Sequence, residues 1–158
     1  MAAGDVHVFA QAVENWAKLT GGTFSSHTIK MGIVTNATVP AVTTADPRWG
    51  SGGTTNFAAN EVTPGGSYSA GGIALTSAAV ALSGADTNLT ATSPISLAAN
   101  ASNPTGAYWG IFYDSTSAGL ECLGYIDLGG PLSLVSGLNI NINGSSSGTQ
   151  TLLQGVAS

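Results

Sequence analysis

Ionisable side chains are scarce in this chain. Its 158 residues include three Lys or Arg, eight Asp or Glu and two His, so charged residues make up 7% of the sequence, where about a quarter is usual. Each shortage excludes something. Lys18, Lys30 and Arg48 are the whole basic complement and lie far apart, so no cluster can neutralise a row of phosphates and nucleic acid is not expected as a partner. The lone Cys122 rules out an internal disulfide, and nothing around it has the repeated Cys/His spacing of structural zinc. No stretch approaches the 18 or so apolar residues of a membrane span, so no membrane partner is expected either. The start, Met1-Ala-Ala-Gly-Asp5, has neither the basic nor the apolar region of a secretory signal. A protein kept in the cytosol, or assembled there into a particle, is expected. Acid–base chemistry and solubility as a free monomer both draw on charged side chains. Their shortage points to a non-enzymatic protein that lies against other protein.

Gly, Ala, Ser, Thr and Asn occupy the places charge leaves empty, over a length that fits one domain spanning residues 1–158. Val6, Phe9, Val13 and Trp16 recur at three- and four-residue steps, with Asp5 placed to cap the start and Gly21-Gly22 to end it. This predicts one short amphipathic helix over 6–19, whose aromatic stripe serves either a partner or its own domain. From residue 28 to about 156 the pattern is that of β structure. Ile29, Met31 and Ile33 alternate with Lys30, Gly32 and Val34, which predicts a strand. Residues 40–72 hold Pro40, Pro47 and Pro64 among many glycines and predict a long loop, of the length usually kept for function.

Further strands are expected at 73–76, 78–83 and 95–99, although Ala-rich runs of this kind also suit helix. The aromatic run 107–113 and the alternating run 120–128 predict a β-hairpin around Asp114-Ser-Thr-Ser-Ala-Gly119. Its register places Cys122 with the apolar set, as a buried structural thiol rather than a nucleophile. Residues 132–142 and 151–156 complete the strands.

Several motifs fail on their context. Gly144-Ser-Ser-Ser-Gly148 has the letters of a nucleophile elbow, but that device needs a helix to follow, and Thr149-Gln-Thr-Leu-Leu153 is no helix start. Asn139-Ile-Asn-Ile-Asn143-Gly144 has the spacing of a calcium loop with every carboxylate replaced, and suits a strand better. His7 and His27 lack a third ligand type nearby, so no metal, and no cofactor of any kind, is expected. The long loop also presents Arg48, Trp49, Phe57 and Tyr68 as candidate interface residues, since Trp, Tyr and Arg most often anchor interfaces. The equal alternative is that Trp49 folds back to cover the sheet.

Thr28-Ile-Lys-Met-Gly-Ile-Val-Thr35, Asn60-Glu-Val62, Gly66-Ser-Tyr-Ser-Ala-Gly-Gly-Ile-Ala-Leu75, Ala107-Tyr-Trp-Gly-Ile-Phe-Tyr-Asp114 and Leu123-Gly-Tyr-Ile-Asp-Leu-Gly129, taken in order, resemble a family of small tailed-bacteriophage virion proteins. The resemblance covers roughly residues 28–130. It implies a mainly β, antiparallel, jelly-roll-like or sandwich-like domain with a structural role. It further implies a capsid decoration or cement protein on the virion surface, with the major capsid protein and copies of itself, as a homo-oligomer, for partners. A tail or baseplate appendage that binds a host receptor or glycan is the alternative. The chain departs from the family in its middle segment, where Thr, Ala and Asn replace acidic residues.

Overall fold

A computed structural model of the chain describes residues 5–12, 14, 27–83 and 86–155. It is mainly β and sandwich-like. Twelve strands run β1 Val6–Val8, β2 Ile29–Val34, β3 Pro47–Arg48, β4 Thr55–Asn56, β5 Ile73–Ala74, β6 Ala79–Ser83, β7 Asp86–Ser93, β8 Ile95–Leu97, β9 Thr105–Asp114, β10 Cys122–Ser133, β11 Leu138–Ile140 and β12 Gly148–Gly155. The main antiparallel sheet has the order β1-β10-β9-β2-β5, and a second has the order β12-β7-β6. β8 pairs with β11, and β3 with β4 in parallel.

The expected hairpin is the spine of the main sheet. β9 and β10 pair with Tyr113 opposite Cys122, Ile111 opposite Tyr125 and Trp109 opposite Asp127, while β2 joins the other side of β9. Aromatic and β-branched residues suit such central positions because they pack well on a pleated surface. Both faces of this sheet are covered. Met31 and Phe112 are directly opposed and point to the second sheet, and Phe112, Val6 and Leu123 enclose a void of about 10 Å³ with Leu89 and Leu152 from that sheet. The other face carries Trp109, Ile111 and Tyr113 and is covered by the segment between β2 and β5.

That segment is the predicted long loop. It contains the β3–β4 pair and a 3-10 turn at Phe57–Asn60, so its length is taken up by small elements that bury aromatics. Buried Asn103 helps to shape its end: Nδ2 donates to the carbonyls of Ala98 and Leu134, both at 2.8 Å, and Oδ1 accepts from the Ser67 N–H at 2.7 Å. Gly66, at φ +61°, faces that amide so closely that a Cβ would lie 2.5 Å from Oδ1.

The expected short helix near the start is present but begins later than its spacing predicts. Val6–Val8 is an edge strand on β10, with Val6 opposite Ile126 and Val8 opposite Gly124, and among the described residues the short helix begins at Ala10, with Ala10–Ala12 and Glu14 helical. A ready sheet edge offers two β-branched residues hydrogen bonds without the costly first helical turn. Asp5 therefore precedes a strand, Phe9 and Ala12 are buried, and the remainder of the predicted helix, with Trp16 and Lys18, lies outside the described residues. The predicted 132–142 strand is divided: β10 ends at Ser133, Gly137 at φ +84° turns the chain, and β11 spans three residues before a second 3-10 turn at Ile142–Gly144. Strand β7 was not expected from the sequence.

Candidate interaction surface

Trp49, Phe57 and Tyr68 all serve the covering role. Trp49 is stacked on Tyr113, with ring centroids 4.9 Å apart and planes 12° from parallel, and its indole rests on Gly32, where a Cβ would lie 2.1 Å from Cη2. Phe57 is fully buried against Phe9, which in turn meets Tyr125. The Tyr68 hydroxyl accepts the Ile33 N–H at 2.8 Å and donates to Glu61 Oε1 at 2.9 Å. Glu61 also accepts the Gly71 N–H, while the Tyr113 hydroxyl donates to the Gly71 carbonyl at 2.7 Å. Burial, reinforced by the Glu61 charge, pushes the Tyr68 phenol up and that of Tyr113 up to about 12. Three of the four candidate interface residues are thus enclosed in their own domain and unavailable to a partner.

Arg48 is a clamp. Its Nε donates to Asp46 Oδ1 at 2.9 Å, and Nη1 donates to Glu121 Oε1 at 2.7 Å and to the Gly119 carbonyl at 3.1 Å. Together with the Trp49 N–H on the Leu120 carbonyl, this fixes the long loop to the β9–β10 turn. Burial alone would lower the Arg48 pKa, but Asp46 and then Glu121 raise it overall. Burial would likewise raise Glu121, yet the Ser117 hydroxyl and the guanidinium hold it below its ordinary value. At the other side of that turn, buried Asp114 pairs with His27 Nδ1 and accepts the N–H groups of Thr116 and Ser117.

These groups hold the loops to the sheet. Burial raises the Cys122 thiol well above its ordinary value, which makes thiolate formation unfavourable. His7 stacks on Tyr125 from β1, remote in the sheet from the His27–Asp114 pair. Gly148 opens strand β12, so the Gly144–Gly148 serines do not stand at a strand-to-helix elbow. Among the described residues no three His, Cys, Asp or Glu are grouped to hold a metal, and no helix is long and apolar enough to cross a membrane.

Among the described residues the exterior is sparsely charged and acidic on balance. Among residues whose side chains are described, only Asp5 and Glu14 carry charge at fully exposed positions, and the rest are at least half-buried. What the described residues expose instead is small and uncharged, with Val39 at 57%, Val42 at 45% and Val135 at 38% as their large apolar members. A groove of about 320 Å³ opens between Asp127, Leu128 and Leu132 of β10 and Leu138, Ile140 and Asn141. The sequence reading missed both features. The only signal was the short apolar run Thr38-Val-Pro-Ala-Val-Thr43 inside a Pro-containing loop. No protein-family model matches this chain, and neither a curated protein nor a solved structure does.

Proposed function

We propose that this chain is a non-enzymatic structural subunit of a bacteriophage particle, a decoration or cement protein that binds across neighbouring major capsid subunits and stiffens the DNA-filled head. The observation that carries the reading is the sparsely charged exterior of the described residues. Asp46, Arg48, Glu61, Asp114 and Glu121 are all engaged in holding loops to the sheet, which leaves a Ser-, Thr-, Asn- and Ala-rich outside. Such a surface approaches another protein with few charges to desolvate. Repetition then strengthens weak contacts, because a subunit touching several capsomers gains effective concentration.

The resemblance adds support from a second direction. Its segments Thr28–Thr35, Ala107–Asp114 and Leu123–Gly129 fall on β2, β9 and β10, which lie side by side, so they form one contiguous unit. The appendage alternative loses its residues, since Trp49 and Tyr68, offered for stacking on host sugars, are 5% and 2% exposed. Imaging of particles assembled with and without the chain tests the proposal. Added density on the head lattice, with heads that withstand more heat or osmotic shock, is the expected result. Density confined to the tail, or none, overturns it.

A further inference from the structure

Among the ten asparagines of the chain only Asn143 is followed by glycine, and its side-chain amide ties the two sheets together. Oδ1 accepts the Val6 N–H of β1 at 3.2 Å, and Nδ2 donates to the Thr151 carbonyl of β12 at 2.8 Å. The Val6 N–H is available because the Phe9 N–H donates to the Leu123 carbonyl. Donors alternate along an antiparallel ladder, so the N–H groups of Phe9 and His7 face β10 and that of Val6 faces away from it. Val6 and Leu152 also line the small void between the sheets, so the amide closes the layers where β1 meets β12.

Asn143 and Gly144 are exposed, and a Cβ on Gly144 would meet nothing within 4 Å, so no neighbouring group shields the pair from water. We propose that Asn143-Gly144 is a self-modification site that the fold keeps latent and that release of β1 activates. The Gly144 nitrogen attacks Asn143 Cγ, the Cγ–Nδ2 bond breaks, and the amide leaves as ammonia with the proton that the Gly144 nitrogen gives up. Water opens the resulting cyclic imide, to aspartate by cleaving the new Cγ–N bond or to isoaspartate by cleaving the original backbone C–N bond. Ring closure needs the Gly144 nitrogen on the same side as Cβ, whereas at ψ 38° it is turned to the opposite side. The Gly144 N–H is also held by the Asn141 carbonyl at 3.2 Å. These ties must open before the atoms meet, and β1, three residues long at a sheet edge, belongs to the class of element that opens most readily. The step cannot be undone by refolding. A carboxylate oxygen in place of Nδ2 has no hydrogen to give the Thr151 carbonyl, and isoaspartate lengthens the backbone between β11 and β12.

This chemistry belongs to the isolated chain and does not depend on a capsid. Peptide mapping of the full chain, kept at neutral pH with and without urea, reads conversion as the mass gained when an amide becomes an acid. Conversion at residue 143 is expected in urea and should be at least about tenfold slower in the native chain. V6P removes the N–H donor at a position where an edge strand tolerates proline, while V6A trims the side chain and keeps the donor, so V6P should convert faster than V6A. N143D carries the product side chain and should exchange its His7 backbone amide hydrogen faster than the parent. Equal rates with and without urea, no conversion at residue 143 in either, or V6P no faster than V6A overturns the inference. An unchanged His7 amide in N143D overturns it as well, and this measurement decides if circular dichroism shows V6P unfolded.

Discussion

Gly32→Ala asks whether the Trp49 indole truly closes the open face of the sheet. The added methyl would stand 2.1 Å, 2.4 Å and 2.5 Å from Cη2, Cζ3 and Cζ2 of a ring sandwiched against Tyr113, and a planar ring held on both sides cannot yield by rotating. Gly32 lies within β2 without a positive φ, so the backbone accepts alanine and the whole penalty is steric. Overpacking of this kind costs about 1–3 kcal/mol. Full ejection of the ring costs what Trp49→Ala costs, about 3–5 kcal/mol. We expect G32A to lose about 3 kcal/mol, or a fall of about 6–12 °C in Tm for a chain of this length. Once W49A has emptied the site, the same methyl should be neutral or stabilising by about 0.5–1 kcal/mol, because alanine suits a strand better than glycine. The two changes therefore couple by at least about 2 kcal/mol in a double-mutant cycle. Urea unfolding of the four proteins, followed by far-ultraviolet circular dichroism, measures this. Additive costs would refute the packing argument, as would a G32A protein as stable as its parent.

Tyr68→Phe leaves the buried Ile33 N–H without its acceptor and Glu61 without a donor, and should cost about 1–3 kcal/mol in thermal unfolding; unchanged stability would contradict the assigned bonds. Glu121 is held below its ordinary value of 4.5, so its contribution is complete above that pH and is lost as the pH falls through the lower value kept in the fold. E121Q should accordingly flatten the acid limb of a stability–pH curve, and an acid limb identical to the parent's would dismiss the Arg48 clamp as its cause. Cys122, buried with a raised pKa, should react with a thiol reagent at least about a hundredfold more slowly in the native chain than in urea. Fast native labelling would place the thiol at the surface.

The hairpin β9–β10 and the strand β2 were legible because aromatic and β-branched residues there alternate with a period of two, and that local signal agrees with the final pairing. β7 was not legible. Its inward residues Leu89, Ala91 and Ser93 alternate correctly, but two of them are so small or polar that the run reads as a linker. The beginning of the chain carried a helical spacing through Val6, Phe9, Val13 and Trp16, and Phe9 is indeed buried, while Val6–Val8 went to a sheet edge supplied by residues more than a hundred positions away.

The candidate surface divides in the same manner. Composition alone determined that the outside would be nearly uncharged, since a chain with three basic and eight acidic residues has little charge to display. Tertiary structure alone decided which apolar groups would be displayed. Trp49 and Val42 stand in the same loop-like stretch, and nothing local distinguishes them. Trp49 is buried because Gly32 leaves room for its ring and Tyr113 offers a flat partner, and Val42 is exposed because its own backbone is tied to Ala10 with the side chain turned away. Burial depends on which distant strands supply a matching cavity, a property of the assembled layers that no window of sequence contains.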